Sequence, residues 1–477
     1  MSNISGQWSS GFTYDKLGNA LTTTDAEGVV ITNTYDNLNR TETITYSGES
    51  SGQQSPIVYF TYDGIYYRSD NFRMQATGNA KGALTQVRNT ISTSQTTAYD
   101  PLGRAEIYQQ ITDGRTYSSS YQYNLAGALV QETYPSGRTV KNEFNTDGDL
   151  SRIAGKANIT AMEKTYANNF AYTAAGAIAK LKLGNGLWEA AKFNTRLQIT
   201  ELGLGIAEDN LNQWKVNYDY GEIEANGTLN TAKNTGNIAK QTISFQGLTN
   251  PFIQTYKYDS VNRLVDAVET NGVTQTWKQT FDYDRFGNRI EFYQKIGNLE
   301  LVLNNRNHPS VDANTNKFLT SESYTYDKNG NITSDPTNGG NNSRSFTFSG
   351  ENKQTEVRDA SNNIVGQYFY DGEGKRVKKV TSTETTVFVY SDGKLIAEYS
   401  TQPPPISPTT NYVATDILQS VRAISNANGV VTSRRDFTPF GEELIPDGQF
   451  RKTDDKYLQE IDSVRQKFTG YQKDTES

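Results

Sequence analysis

The chain has 477 residues, a formal net charge of -7 and no cysteine. A chain without cysteine has no disulfides, no thiolate metal ligands and no cysteine nucleophile. No basic run marks a nucleic-acid-binding surface, and no apolar stretch reaches the roughly 18 residues that a membrane-spanning helix requires.

Aromatic residues dominate the apolar part of the composition. Only 35% of the residues are hydrophobic, yet 30 are Tyr and 20 are Phe. Disordered chains are poor in aromatic residues, whereas Tyr and Phe favour strands. Together with 39 Gly residues, this composition predicts an all-β fold of many short strands joined by tight turns.

The first ten residues, 1–10, contain neither the basic region nor the apolar region of a secretory signal peptide. We therefore expect either export by another route or a true N-terminus upstream of Met1.

A short unit recurs along the chain from Phe12 onward. It consists of an aromatic residue, one variable residue, Tyr-Asp, two variable residues, Gly or Asn, and then most often Asn or Arg. Tyr14 and Tyr35 are 21 residues apart, and Tyr370 and Tyr390 are 20 apart. Such a fixed period indicates a repeat array. The signature residues of the clear copies are Tyr14, Asp15 and Gly18; Tyr35 and Asp36; Tyr99, Asp100 and Gly103; Tyr258 and Asp259; Tyr283, Asp284 and Gly287; Tyr326, Asp327 and Gly330; and Tyr370, Asp371 and Gly374.

Each position of the unit has a structural reason. Aromatic residues two positions apart lie on the same face of a strand, so we expect successive units to stack their rings into a ladder. Aspartate after Tyr can accept backbone N–H groups in the turn, and Gly supplies the positive φ of a tight hairpin. The unit therefore predicts a strand, a turn and a second strand. Residues repeated at every turn indicate structure, so we nominate none of them as catalytic, cofactor-binding or metal-binding.

The middle of the array, about 184–249, is the least repetitive part and is expected to be a degenerate repeat. Its Leu202–Gly205 stretch, expected as a loop, is too short for a phosphate-binding fingerprint. Trp188, Trp214 and Trp277 could stack on sugars, although packing in the core is the simpler interpretation. A single histidine, His308, excludes a two-histidine metal site and argues against a histidine-based catalytic triad.

Two segments near the C-terminus differ from the repeats. The Pro-rich stretch from Gln402 to Pro408 is incompatible with a central strand and is expected to be a loop. From Thr453 to Phe468, apolar residues recur at helical spacing, which predicts a short helix that either docks a partner or packs over the end of a sheet.

The Tyr-Asp-x-x-Gly-Asn/Arg pattern, from Phe12 to Tyr399, resembles the YD repeats of bacterial RHS proteins, toxin-complex shell subunits and teneurins. The segments Thr415–Ile424, Arg435–Glu442 and Lys467–Glu476 resemble the end of an RHS array and the start of the RHS-associated core motif. Ile417 and Gln419 replace the usual His and Gly of the first segment. The positions that match this motif are Arg422, Pro439, Gly441, Phe468, Gly470 and Asp474.

This resemblance implies YD hairpins wound into a continuous spiralling β-sheet, forming a hollow shell or part of one. The apolar spacing described above adds a short helix near the C-terminus. The expected domains are a repeat array over 1–400, a Pro-rich loop over 401–410, terminal hairpins over 411–446, and the helix with the truncated core motif over 447–477. The aspartates with which some relatives cut their own chain are expected beyond Ser477, so we expect a piece of a longer protein.

The resemblance also implies a function without enzymatic activity or cofactors. The shell would enclose or present a C-terminal toxin that is absent from this chain, on a protein secreted by a bacterium or held at its surface. The expected partners are that toxin cargo or the missing downstream core segment, secretion-system components, and a glycan or cell-surface receptor. Two alternatives stay open: a surface adhesin that binds glycans or proteins, and a hydrolase with a carboxylate pair in the irregular middle.

Overall fold

The computed structural model describes residues 11–49, 54–296, 299–301, 310–336, 343–391, 393–402, 410–457, 464 and 466–471. The regular secondary structure of these residues is almost entirely antiparallel β-strand, as predicted. Three sequence predictions lie outside them: the export segment 1–10, His308 and Asp474. The Pro-rich stretch lies outside as well, apart from Gln402.

The first and largest sheet is a meander of 23 strands within residues 11–301. Two further hairpins, β6–β7 and β20–β21, project from it as separate two-stranded sheets. In chain order the strands are β1 (Gly11–Tyr14), β2 (Ala20–Thr24), β3 (Val30–Tyr35), β4 (Thr41–Ser47), β5 (Val58–Tyr62), β6 (Ile65–Tyr67), β7 (Arg73–Gln75), β8 (Leu84–Arg88), β9 (Ser92–Tyr99), β10 (Ala105–Thr112), β11 (Arg115–Tyr123), β12 (Leu129–Thr133), β13 (Thr139–Phe144), β14 (Leu150–Lys156), β15 (Lys164–Tyr172), β16 (Ile178–Leu183), β17 (Trp188–Phe193), β18 (Ile199–Gly205), β19 (Trp214–Tyr220), β20 (Glu222–Ile223), β21 (Leu229–Asn230), β22 (Ile238–Ser244), β23 (Phe252–Tyr258), β24 (Leu264–Asn271), β25 (Thr274–Tyr283), β26 (Arg289–Ile296) and β27 (Leu299–Leu301).

Two smaller sheets follow. The second sheet has eight strands: β28 (Thr325–Tyr326), β29 (Ile332–Asp335), β30 (Arg344–Phe348), β31 (Gln354–Arg358), β32 (Ile364–Tyr370), β33 (Arg376–Val380), β34 (Thr385–Ser391) and β35 (Lys394–Ser400). The third has three: β36 (Tyr412–Thr415), β37 (Val421–Ser425) and β38 (Val431–Arg434). Single 3₁₀ turns occupy Thr231–Lys233, Thr320–Glu322 and Phe468–Gly470.

Among the described residues, the hydrogen-bonded ladder runs in three successive sheets. Between β27 and β28, the described residues from Ser310 onward form turns, with Asn316 and Ser323 at φ values of 57° and 62°. Residues in this left-handed conformation cannot extend a strand. The repeat pattern nevertheless resumes at once, with Tyr326 and Asp327 at the end of β28.

Two local predictions differ from the structure. The Leu202–Gly205 stretch lies in strand β18 rather than in a loop, and its glycines let a neighbouring backbone approach closely. A Cβ atom at Gly205 would lie 1.9 Å from the carbonyl oxygen of Asn210.

The helix expected from Thr453 to Phe468 is not formed by the described residues of that segment. Residues 453–456 form a turn, and Tyr457 bridges to Arg434. Tyr457 is drawn into this bridge because its side chain is buried in a polar network described below. The short helical element near the C-terminus is instead the 3₁₀ turn Phe468–Gly470, and residues 458–463 and 465 lie outside the described part.

The turns of the array form two edges. We call YD edge the row of turns that follow the repeat Tyr, such as 15–19, 36–40 and 259–263. The return edge is the opposite row, such as 25–29, 89–92 and 113–114. The second sheet lies with its YD edge on the return edge of the first sheet: Asn329 bonds to Asp25 at 2.7 Å, 304 positions earlier in the chain. The array thus winds back onto itself.

The largest buried cluster joins the first sheet to the C-terminal segment. Trp214 of β19, Ile243 of β22 and Phe252 of β23 pack with Ala423 of β37 and Tyr457. The irregular middle of the sequence forms strands β17, β18, β19 and β22, which continue the meander. The C-terminal segment packs against this part of the sheet.

Candidate functional site

The turn of each repeat is organised by its aspartate. In one copy Asp259 Oδ1 accepts the backbone N–H groups of Val261 and Arg263 at 3.0 and 2.8 Å, and Oδ2 accepts Arg263 Nε at 2.7 Å. The hydrogen bond from the Arg263 backbone is the main cause that holds the pKa of Asp259 below its usual value. The same acceptance of the N–H four positions later recurs at Asp15, Asp36, Asp100, Asp284, Asp327 and Asp371.

Positive φ angles close these turns, as the sequence predicts. Gly287 has a φ of 88°, and Asn262, which holds the same place in its unit, has a φ of 66°. Gly adopts this conformation without strain, and Asn tolerates it better than most residues.

The tyrosines link successive units through their hydroxyl groups. Tyr283 OH donates to the carbonyl oxygen of Leu264 at 2.7 Å, and Tyr258 OH donates to that of Ile238 at 2.9 Å. In each case the acceptor pairs across the hairpin with the repeat Tyr of the preceding unit, as Leu264 does with Tyr258. Equivalent links are made by Tyr35, Tyr62, Tyr172, Tyr220 and Tyr370.

A register shift lies directly before the repeat tyrosine, for example between Lys257 and Tyr258. Such a bulge breaks the alternation of side chains between the two faces of the strand, so the ring does not lie where regular alternation would place it. In the described residues, the hydroxyl links and arginines join successive units. Arg263, bonded to its own Asp259, also stacks 4.9 Å from the ring centre of Tyr283 in the next unit. Arg40 over Tyr62 and Arg104 over Tyr123 repeat this arrangement at 4.2 and 4.5 Å.

A buried cluster of charges fastens the C-terminal segment to the first sheet. Arg451 donates to both oxygens of Glu269 in β24 at 2.9 and 2.8 Å, and its Nε donates to Asp436 at 2.9 Å. The exposed fractions of Arg451, Glu269 and Asp436 are 2%, 0% and 1%. We call this set of residues, together with Arg422 and Tyr457, the C-terminal anchor.

Asp436 lies at the centre of the anchor. It also accepts hydrogen bonds from Arg422 at 2.6 Å and from the Tyr457 hydroxyl at 2.7 Å. Burial by itself raises the pKa of Asp436, but the charges of Arg451 and Arg422 outweigh it and hold the pKa below its usual value. Burial, with Asp436 beside it, raises the pKa of Tyr457 well above the usual range. Asp436 thus stays ionised and the phenol of Tyr457 stays protonated.

Comparison with known proteins identifies others that share this fold. Residues 231–448 match the family model of the teneurin YD-shell. The Tc holotoxin pore of Photorhabdus luminescens superimposes with a TM-score of 0.73 at 14% identity, over 98% of this chain and 25% of that one. The chain has the YD-shell fold.

Two further solved structures show the same YD-shell fold. TcdB2-TccC3 without its hypervariable C-terminal region gives a TM-score of 0.74 at 14% identity, over 98% of this chain and 25% of that one. TcdB2-TccC3 itself gives 0.73 at 15%, over 98% and 26%. The chain therefore resembles the teneurin YD-shell over residues 231–448 and shares the fold of these Tc toxin structures, and it spans about a quarter of the length of the solved chains it matches. No curated protein sequence matches it.

The YD shell brings most of the predicted core-motif residues together. Arg422, Pro439 and Phe468 line one cleft of about 470 Å³. Gly441 lies under the ring of Phe468, so closely that a Cβ atom there would be 2.7 Å from Cδ1. Gly470 lies near the turn that precedes Arg422, with the Gln419 carbonyl oxygen 3.7 Å from where its Cβ would be.

Two residues of the C-terminal anchor, Glu269 and Arg451, were not identified from the sequence. Glu269 and Arg451 are 182 positions apart, and neither belongs to a repeat signature. The only available signal was the unusual density of Arg and Asp between Arg422 and Arg451.

The tryptophans of the YD shell are mainly core residues. Trp214 and Trp277 are 2% and 1% exposed, so neither presents a face to a sugar. Trp188 is half-buried, with Lys182 Nζ 5.8 Å from its ring centre.

The described residues of the YD shell contain no group of three or more His, Asp or Glu side chains arranged to hold a metal ion. In the irregular middle, Glu189 pairs across the strands with Leu181 and Leu204, and burial raises its pKa to about 7. Neighbouring Glu201 bonds to Lys192 at 2.7 Å. Across the described helical turns, no segment has the length and apolar character to cross a membrane.

Proposed function

We propose that this chain is a wall segment of an RHS-type toxin or effector, which encloses or presents a C-terminal polypeptide and has no catalytic activity of its own. The cargo, or the core segment that precedes it, is the principal partner. Secretion-system components and a receptor on the target cell are the partners expected outside the wall. The place of action is outside a bacterial cell or at its surface.

The repeat geometry supports a containing role because it makes a stiff wall from polar residues. Every link from one unit to the next, such as Tyr283 OH to Leu264 O, joins neighbouring hairpins side to side. An aspartate-closed turn and an Arg–Tyr stack add further contacts at the YD edge. Such a wall needs little conventional core, which fits the low hydrophobic fraction of the sequence.

The observation that carries the proposal is the C-terminal anchor. The chain arrives at its C-terminal segment after winding back on itself, and there Arg451 and Asp436 hold that segment against Glu269 of the sheet. Breaking a buried ion pair costs roughly 3–5 kcal/mol, so a segment held in this way stays on the wall. Whatever polypeptide follows it starts from a fixed position on the wall.

The test begins with the reading frame on both sides of this chain. A frame that continues past Ser477 into the rest of the core motif and then into an unrelated domain supports the proposal. The complete protein is then treated with protease, and the unrelated domain is expected to survive longer than the same domain produced alone. Equal digestion of the two would overturn containment.

The surface-adhesin alternative is less well supported, because Trp214 and Trp277 are buried. A glycan array separates the two functions: specific glycan binding that is lost in Trp188→Ala would favour the adhesin.

A further inference from the structure

A cleft lies where the first sheet, the hairpin β6–β7 and the second sheet meet. The hairpin is fixed over the first sheet, because Gln86 of β8 exchanges two hydrogen bonds with the backbone of Tyr67, at 3.1 and 2.8 Å. The second sheet contributes Phe369 of β32 and Lys378 of β33. The cleft has a volume of about 620 Å³, which is within the range of about 300–1,000 Å³ that ligand sites occupy.

Arg88 of β8 lines this cleft with a positive charge that is held in place but not neutralised. Its guanidinium lies against two aromatic rings, 4.7 Å from the ring centre of Tyr59 and 5.4 Å from that of Tyr67. One nitrogen donates to Asn71 Oδ1 at 2.9 Å, and Nε has no hydrogen-bond partner. Within the described part of the chain, no carboxylate forms an ion pair with Arg88.

The other cations of the cleft have anionic partners. Lys378 Nζ lies 2.7 Å from an oxygen of the Asp113 carboxylate. Arg68 lies 3.3 Å from Asp70. Among the described lining residues, Arg88 is therefore the cation whose charge stays uncompensated. A recess with a positive charge attracts an anion, and the guanidinium is well suited to a carboxylate.

Arginine–tyrosine contacts elsewhere in the array include a carboxylate of the chain itself. Arg40, Arg104 and Arg263 each lie against a tyrosine ring. Each is also paired with the aspartate of its own turn, at 2.7, 2.6 and 2.7 Å. Arg88 lies instead at the return edge, directly before turn 89–92. The contact with tyrosine thus does not account for the missing anion at Arg88.

The remaining lining of the cleft matches a sugar ring. Tyr59, which is 38% exposed, and Phe369 provide aromatic rings from the two sheets. The electron-rich face of an aromatic ring attracts the polarised C–H groups of a sugar. Ser69, Thr90 and Thr93 add hydroxyl groups that form no hydrogen bond with the other described residues. Such hydroxyls both donate and accept hydrogen bonds, as those of sugars do.

The space continues beyond this cleft along the seam between the two sheets. A second cleft of about 630 Å³ adjoins the first, and Thr90, Ile91 and Phe369 line both. This continuation favours a chain of sugar units over a single small acid.

We propose that the cleft binds an acidic oligosaccharide, in which the carboxylate of one sugar unit bonds to Arg88 and the ring of that unit packs against Tyr59 and Phe369. The aromatic rings and the unpaired hydroxyls distinguish this ligand from an acidic peptide, which would use the charge alone. The site goes beyond the wall function and does not depend on it. It is also separate from the tryptophans considered above.

The test measures binding to the full chain by isothermal titration calorimetry. The acidic probes are trigalacturonic acid and sialyllactose, their uncharged counterparts are galactotriose and lactose, and triglutamate is the acidic peptide. At least one acidic sugar is expected to bind about tenfold or more tightly than its uncharged counterpart and than triglutamate. Failure of both acidic sugars to bind would overturn the proposal, as would equally tight binding of triglutamate.

Two substitutions separate binding from folding. Arg88→Gln removes the charge, and Thr90→Glu, at an exposed position, places a carboxylate in the cleft that repels the ligand and competes for Arg88. Both are expected to weaken binding about tenfold or more, the second without a change in thermal midpoint. The controls are Arg104→Gln, at an arginine that lies against Tyr123, and Ala126→Glu, at an exposed residue of the YD edge. Unchanged binding in Thr90→Glu, or equal losses in the controls, would refute the site.

Discussion

Arg451 donates two parallel hydrogen bonds to Glu269, 182 positions earlier in the chain, at 2.9 and 2.8 Å. This relationship joins the last part of the chain to the middle of the repeat sheet in a site that excludes water. A charge pair of this kind is costly to break from one side only, because the remaining charge is left buried without a partner.

Removal of the guanidinium in Arg451→Met is expected to lower the free energy of unfolding by about 3 kcal/mol, measured by urea denaturation. Glu269→Gln is expected to have a similar effect. The double variant should lose less than the sum of the two, since it leaves no unpaired charge. Lys16→Met, at an exposed position, is the control. Strict additivity of the two single effects would contradict direct coupling.

Tyr258→Phe removes the hydroxyl that joins two repeat units and is expected to destabilise the fold by about 1 kcal/mol. Tyr14→Phe is the matched control, because the ring of Tyr14 is 58% exposed and its hydroxyl meets solvent. The expected result is a lower thermal midpoint for the first variant and an unchanged one for the second. Equal midpoints would show that the hydroxyl links do not stabilise the wall.

Gly287→Ala places a Cβ atom on a residue with a φ of 88°, and we expect a loss of about 1 kcal/mol. The control Gly11→Ala changes a strand residue whose Cβ would meet nothing within 4 Å. Both are measured by denaturant unfolding. A larger loss in the control would be inconsistent with the assigned turn geometry.

Glu189 is expected to make the free energy of unfolding decrease as the pH rises. Its folded-state pKa, about 7, lies above the unfolded value of about 4.3. The unfolded chain therefore releases its proton first, and stability falls as the pH rises through this window. Glu189→Gln is expected to be more stable than the parent by roughly 3–4 kcal/mol at pH 8, with little difference at pH 4. A constant difference across this range would contradict the assigned environment of Glu189.

The sequence predicted the local architecture well because each repeat turn is decided within five residues. Asp259, Asn262 and Arg263 supply the acceptor, the positive φ and the closing donor, and all three are visible in the motif. The hydroxyl link from Tyr283 to Leu264 was not predictable in the same way, since it depends on the bulge and the spacing between units.

Contacts between distant parts of the chain could not be predicted from the sequence. Nothing local distinguishes Glu269, which alternates with ordinary strand residues, from any exposed glutamate. The helix predicted from Thr453 onward followed a real apolar spacing, but Tyr457 is held in a bridge to Arg434 and its hydroxyl is bonded to Asp436. In the described residues 453–457, this long-range polar contact overrides the local pattern.

The array winds back so that its second sheet lies on the first. Asp113 and Lys378 form an ion pair at 2.7 Å across this seam, with side chains 46% and 20% exposed. Because the natural chain has no cysteine, Asp113→Cys with Lys378→Cys can be joined by a short bismaleimide. An intramolecular cross-link, identified by mass spectrometry, is expected in this pair, and none is expected in the control pair Lys16→Cys with Lys378→Cys. Absence of the cross-link in the folded monomer would contradict the winding.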